Sequence, residues 1–395
     1  MQYKKIAGGL LLGFFMSISC PNLLWAEGPG GEAQTESQEN AVGPGAFLDQ
    51  GTLENTGDNT GGAETGSYAV DTGFAALEVA SPVVQIAEKY SYEQMVQDIQ
   101  TLQSKYGSHM QVQSYGTSLD GRALYDIIVG NPNAGKSVMI QGGIHGREYM
   151  IPLLVMKQAE AALEFYNTAS YQGQSLASMF DQVQIHFLPM VNPDGVSISQ
   201  FGLSSVRSTE LQQVIQAGHE KDMEENRTAT PFDLYLPYWK SNARGVDLNR
   251  NFDAYWDQVV NSPGHASYTG YKGTNPGSEP ESAALIQLAD SRNWSAVINF
   301  HSMGEVIYWD INGNKVEAQS KELAQAASAI TGYQILNSDG TGGFKDWLQI
   351  KNNPVPSITL EVGNVSCPLP VSQWPRVWSQ NKSIWAAVLK YAWEH

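Results

Sequence analysis

Residues 137–154 read SVMIQGGIHGREYMIPLL, and the fold turns on how they are divided. An apolar run ends at Gly142-Gly143, and a second apolar run opens after Tyr149. The first has the length and glycine boundary of a buried strand. The second, YMIPLLVMKQAEAALEFY over 149–166, has helical length, and Pro152 is tolerated there only in the first turn. The connection carries His145 and Glu148, with Gly146 and Arg147 between them. Taken alone, the pair reads as a polar turn: His145 closes a strand, and Glu148 sits favourably at a helix N-terminus. The competing reading is half of a metal site, since a glycine-bearing loop can turn both side chains toward one ion.

Working outward, MQVQSYG (110–116), ALYDIIVG (123–130), VQIHFLPMV (183–191), SAVINF (295–300) and SITLEVG (357–363) all read as strands, several of them continuously apolar. Between them lie helical patterns. SYEQMVQDIQTLQSKY begins at Ser91 as a cap, SEPESAALIQLADSR (278–292) takes Ser278 as its cap, and WPRVWSQNKSIWAAVLKYAW (374–393) reads as one closing helix. NPDG at 192–195 reads as a turn closing its strand. Strands alternating with helices predict an α/β fold, with a mixed, largely parallel central sheet and helices on both faces.

The chain has 395 residues and a net charge of −17, which is unevenly spread. Residues 27–80 hold ten acids and no Lys or Arg, with little aliphatic content before Phe74. Such a stretch cannot bury enough surface to offset its ordering entropy, so 27–84 is expected to be an acidic, disordered linker. The folded domain is then expected over 85–395. The negative balance and the lack of a basic stripe argue against a nucleic-acid partner.

Residues 1–26 have the form of a signal peptide: Lys4 and Lys5, an apolar run from Ile6 to Ser19, and Leu24-Trp25-Ala26 before Glu27. That run is short for a bilayer span. Export is the expectation, with lipid modification of Cys20 the less favoured alternative, because Ser17 stands where a large aliphatic is expected. Cys367 is the only other cysteine and reads as a small buried residue.

Polar residues recur at the carboxyl ends of the apolar strands, where open α/β sheets gather their ligands: His145, His301 and Glu361. Two imidazoles and the Glu148 carboxylate suit Zn2+ and leave a fourth position open, as catalytic zinc requires. A third ligand and a separate carboxylate at equivalent strand ends reverse the reading that His145 and Glu148 invite alone. YWKSNARGVDLNRNF (238–252) gathers Lys240, Arg244 and Arg250 in a chain with only 23 Lys and Arg, and Arg suits bidentate grip of a carboxylate.

GGIHGREYM, VNPDG, GVDLNRNF, the histidine of NFHS and the glutamate of ITLEVG appear in the order of the zinc carboxypeptidase (funnelin) family, which the chain resembles from about residue 88 onward. The short NARGVDLNRNF connection and the GGFKDW segment look like the bacterial branch that includes γ-D-glutamyl-diaminopimelate peptidases. The resemblance implies one zinc ion, with His145, Glu148 and His301 as its ligands. It implies Glu361 as the general base, and Asn249 and Arg250 as the grip on a substrate carboxylate. Arg147 would line a neighbouring subsite. A carbonyl-polarising arginine normally follows a Trp; Lys240 follows Trp239, so that role falls to Lys240 or, preferentially, Arg244. The family's mobile tyrosine has no counterpart near Ser338. Lys345 stands at the floor of the side-chain pocket, where it either attracts a substrate carboxylate or turns to solvent.

The implied protein is a monomeric, secreted zinc metallocarboxypeptidase. Its peptide substrate is a murein stem peptide or, alternatively, an ordinary protein C-terminus; a non-catalytic binding domain is the third reading. His186 reads as a core histidine, Glu279 and Glu281 as ordinary acids of a helix's first turn, and 200–237 as a rim insertion.

Overall fold

A computed structural model describes residues 70–337 and 340–395. The expected leader, and the expected linker up to residue 69, lie outside them. The chain opens with α1 (Thr72–Ala75) and α2 (Tyr92–Tyr106), then β1 (Met110–Thr117), β2 (Ala123–Val129) and β3 (Lys136–Gln141). α3 (Met150–Phe165) leads to the hairpin β4 (Ser170–Tyr171) and β5 (Gln174–Ser175), then α4 (Leu176–Phe180), β6 (Val183–Leu188), α5 (Pro193–Phe201), α6 (Thr209–Glu224) and α7 (Phe232–Tyr235). After a long loop come α8 (Pro280–Asp290), β7 (Trp294–His301), β8 (Val306–Tyr308), α9 (Glu317–Thr331), β9 (Gln334–Leu336), α10 (Phe344–Ile350) and β10 (Ser357–Glu361). α11 (Trp374–Asn381) and α12 (Ile384–Glu394) end the chain.

Eight strands form one sheet in the order β1-β2-β6-β3-β7-β10-β8-β9. The central strands β6, β3, β7 and β10 are parallel; β1 pairs antiparallel with β2, β2 with β6 and β8 with β10, while β9 lies parallel to β8. This is the mixed α/β architecture the sequence implied. The parallel strands are buried along almost their whole length, as strands covered on both faces must be. One apolar cluster joins α2, α3 and α12 to the sheet; a second lies under α8 and α10.

Four local expectations change. NPDG is not a free turn: the Asn192 side chain accepts from Gly195 N–H at 2.9 Å and caps α5, with Pro193 in its first turn. Ser278 does not cap α8; Glu279 holds the cap position with Pro280 next, and the Ser278 hydroxyl donates to Glu279 at 2.9 Å. The closing segment is two helices, because the Asn381 carbonyl accepts from Gln158 Nε2 at 3.0 Å. Breaking there lets Trp374 and Val377 on one helix, and Trp385, Val388 and Leu389 on the other, all bury.

The fourth concerns the domain boundary. Residues 70–84 pack on the domain: Asp71 caps α1, its second oxygen accepts from Gln172 N–H at 2.7 Å, and Phe74 is buried edge-on to Tyr171 and Trp385. Lys157 donates to the Val84 carbonyl at 3.2 Å. The acids of this stretch conceal a short apolar strap, so packing begins near residue 71, not 85. Phe74→Ala is expected to lower unfolding free energy in urea by about 3 kcal/mol, the usual cost of emptying a buried ring; no change would mean the strap contributes nothing.

Candidate metal centre and cleft

β3, β7 and β10 run parallel, so their carboxyl ends share one sheet edge. His301 is the last residue of β7, and its ladder partner in β10 is Glu361. His145 and Glu148 lie just beyond β3, in a turn closed by Glu148 N–H donating to the His145 carbonyl at 3.2 Å. Gly146 fits this turn against two other segments. A methyl group there would lie 2.4 Å from Gly195 at the start of α5 and 2.7 Å from the Trp239 carbonyl. Gly146 N–H donates to the Lys240 carbonyl at 2.9 Å.

His145, Glu148 and His301 converge, with exposures of 5%, 3% and 2%. His145 Nδ1 lies 2.7 Å from one Glu148 oxygen, His301 Nδ1 lies 3.1 Å from the other, and the two nitrogens are 3.2 Å apart. Burial opposes charge on Glu148, but the two imidazoles hold its carboxyl well below the usual range. Two imidazole nitrogens facing one buried carboxylate within 4.8 Å are a donor set of the N2O type that suits zinc. It is the one such cluster among the described residues.

Asp247, which the sequence reading passed over, completes this set. Its Oδ1 lies 3.2 Å from His145 Nε2, an ion-pair contact on the side of the ring away from Glu148, while Nδ1 faces the Glu148 carboxylate as the ligand nitrogen. Asp247 is itself pinned by N–H groups of Asn249 at 3.2 Å and Gly270 at 3.1 Å. Burial resists its ionisation, yet Lys240, His145 and Arg250 keep it charged. The signal was present in GVDLNRNF, two residues before Asn249.

Glu361 points at this centre from the neighbouring strand end. Burial pushes its carboxyl up to about 7; His301 pulls down, Glu148 pushes up, and Lys240 and Arg147 pull down again. A carboxyl poised near neutrality, beside a ligand histidine and open in part to the cleft, can take and return a proton.

The cations divide differently from expectation. Lys240 Nζ lies inside, 3.9 Å from Asp247, and bears on Glu361. Arg244 is half-exposed and faces Glu279 at 3.5 Å. Position therefore favours Lys240 over Arg244 for polarising a carbonyl, because the loop returns toward the centre at Lys240 and bulges to solvent at Arg244. Arg147 is part-buried, and its Nε has no hydrogen-bond partner. The Asn249 side-chain oxygen accepts from Phe344 N–H at 3.1 Å. Lys345 is neither turned to solvent nor free to meet a carboxylate: it is buried, donates to the Asp310 carbonyl at 2.8 Å and is paired with Asp346. The position expected for the family tyrosine, Ser338, lies outside the described residues.

The remaining candidates separate cleanly. His186 is a core histidine as expected, between Asp126 and Arg292 at 2.8 Å each. Cys367 is buried, and its thiol is pushed up to about 12 by that burial, so it is no nucleophile. Glu279 and Glu281 are not ordinary helix-start acids; both are buried and bonded to Asn242.

A sequence model of the zinc carboxypeptidases matches residues 95–384. Gamma-D-glutamyl-L-diamino acid endopeptidase 1 of Lysinibacillus sphaericus is 29% identical over 305 residues, covering 76% of this chain and 72% of that protein. Carboxypeptidase O of Bos taurus is 26% identical, covering 68% and 72%. Among solved structures, thrombin activatable fibrinolysis inhibitor superposes with a TM-score of 0.60 at 20% identity, over 81% of this chain and 79% of that one. Carboxypeptidase A from Helicoverpa armigera gives 0.56 at 20%, over 80% and 78%. With the His145–Glu148–His301 cluster and Glu361 at the sheet edge, these matches place the chain in the zinc carboxypeptidase family, as a zinc metallopeptidase.

Proposed function

We propose that this peptidase is exported and cuts bacterial cell-wall peptides, at a bond near a free carboxylate of the γ-D-glutamyl-diaminopimelate type. The observation that carries the reading is the similarity to a γ-D-glutamyl-L-diamino acid endopeptidase across three quarters of the chain. Local charge supports it: Lys240 and Arg147 both bear on Glu361, so within a protein of net charge −17 the field beside the metal centre favours an anionic peptide end. Lys345 gives no support, because Asp346 already neutralises it.

Zinc bound by His145, Glu148 and His301 would supply Lewis acidity and a more acidic water. Around it, the chain's own residues divide the labour. Asn249 and Arg250 hold the substrate carboxylate, and Lys240 stabilises negative charge developing on the scissile carbonyl oxygen. Glu361 takes a proton from the attacking water and returns it to the leaving amine. Asp247, 3.2 Å from His145 Nε2, favours a proton on that nitrogen and so the tautomer that leaves Nδ1 free to bind.

Digestion of murein stem peptides and of ordinary peptides by the zinc-loaded protein, followed by mass spectrometry, separates the candidate substrates. Cleavage at the γ-D-glutamyl bond is expected; release of ordinary C-terminal residues alone would rule out the cell-wall reading. Glu361→Gln should keep its zinc while losing turnover by about 10²–10⁴-fold, the usual contribution of a positioned base. Lys240→Ala should lower kcat by about 10²-fold or more, as loss of an oxyanion donor does, and Arg244→Ala by less than about tenfold; the reverse order would return the role to Arg244. Glu361 works only ionised, so kcat/KM should climb with pH along an acid limb. Its midpoint should fall above the ordinary Glu range and no higher than about 7, since bound zinc draws down the carboxyl that burial raises. A limb unchanged in Glu361→Asp would assign it to another group.

A further inference from the structure

Asn242 is fully buried, and its amide makes four hydrogen bonds. Oδ1 accepts from the backbone N–H groups of Arg244 at 3.0 Å and Val246 at 3.1 Å. Nδ2 donates to Glu279 at 2.8 Å and Glu281 at 3.2 Å, at the start of α8. Its main chain is equally committed: N–H donates to the Val246 carbonyl at 2.9 Å, and C=O accepts from Gly245 N–H at 3.0 Å and Trp239 Nε1 at 3.1 Å. Lys240 and Asp247 stand at the two ends of the loop wound around this side chain. Asp247 faces His145 Nε2 at 3.2 Å, and Lys240 faces Asp247 at 3.9 Å.

Chemistry singles out an asparagine here. The site needs an acceptor for two N–H groups and, on the same planar group, a donor for two buried carboxylates. Aspartate would supply the acceptor and set a third carboxylate against Glu279 and Glu281; alanine would leave both carboxylates short of a donor. Each acid has other partners, but only Asn242 bridges the two. Glu281 also takes backbone N–H groups, from Leu119 at 3.0 Å and from its own residue, and Glu279 has Ser278 Oγ at 2.9 Å and the solvent-exposed Arg244 at 3.5 Å. Consistent with sharing a neutral amide in place of a cation, the Glu281 carboxyl is pushed up to about 7, chiefly by burial and then by Asp194.

We propose that Asn242, clasped between Glu279 and Glu281, is a positioning residue: it fixes the Lys240–Asp247 loop against α8 and, through Asp247, sets the orientation of the zinc ligand His145.

The test is zinc retention against a chelator in the full chain, which rests on the metal centre and not on the identity of the substrate. Asn242→Asp should release zinc about tenfold or more faster, in the range seen when a metal ligand's supporting carboxylate is lost. Combining it with Glu279→Gln exchanges donor and acceptor across the clasp and should restore retention to within about threefold of the parent, a coupling that double-mutant cycles resolve. Leu288→Ala, a cavity on the same helix, should lower the melting temperature without changing zinc release. Parent-like retention in Asn242→Asp, or a double variant no better than the single, would overturn the proposal. If Asn242→Asp alone does not fold, the double variant decides: it must fold and hold zinc like the parent, and failure to do so overturns the clasp.

Discussion

Parallel strand register is the constraint on which the rest of this structure depends. In a parallel pair the carboxyl ends emerge together, so residues far apart in sequence reach one edge with no further device. Here the ladder sets Glu361 directly beside His301, and the β3–β7 pairing brings the His145 turn to the same edge. A slip of one residue would turn Glu361 to the opposite face of the sheet, away from the ligands. The apolar residues that fill β3, β7 and β10 thus do two things at once: they bury the sheet, and they index the catalytic ends.

That edge is dry, and dryness dictates its partners. Glu148 can remain charged at 3% exposure only because two imidazoles and the Ser302 N–H surround it. The same burial, with fewer favourable neighbours, leaves Glu361 near neutrality. Two carboxyls that feel each other's charge are therefore driven in opposite directions, one toward a charged ligand and the other toward a proton carrier. The contact of Gly146 with Gly195 and Trp239 keeps the segments bearing these groups in register with one another, since any side chain at Gly146 would push them apart.

What the sequence made legible was whatever is local or periodic. Strand cores, the helix carrying Pro152, and polar residues at strand ends all follow from patterns a few residues wide, and the His145, Glu148 and His301 cluster came with them. What it hid depends on where the chain returns. Arg244 and Lys240 are four residues apart with the same charge; only the path of the loop around Asn242 turns one inward and the other to solvent. Lys345 read as available to substrate or solvent because nothing in the sequence shows that it turns inward to the Asp310 carbonyl, 35 residues away, and folds back on its neighbour Asp346. Asp247 was overlooked because its neighbours Asn249 and Arg250 drew the functional reading. The strap at 71–84 was hidden by composition, since ten acids in 27–80 outweighed a single buried phenylalanine.

The division of cations also sets the local field beside the metal centre of so acidic a protein. Lys345 is spent inside the fold on Asp346 and Asp310, and Arg244 is drawn to Glu279 at the rim. Lys240 shares Asp247 at 3.9 Å, a distance that leaves room for a second negative partner, and Arg147 Nε has no acceptor at all. The same two cations hold down the Glu361 carboxyl. A substrate carboxylate that engages them would weaken that restraint and make Glu361 a stronger base once the substrate is in place.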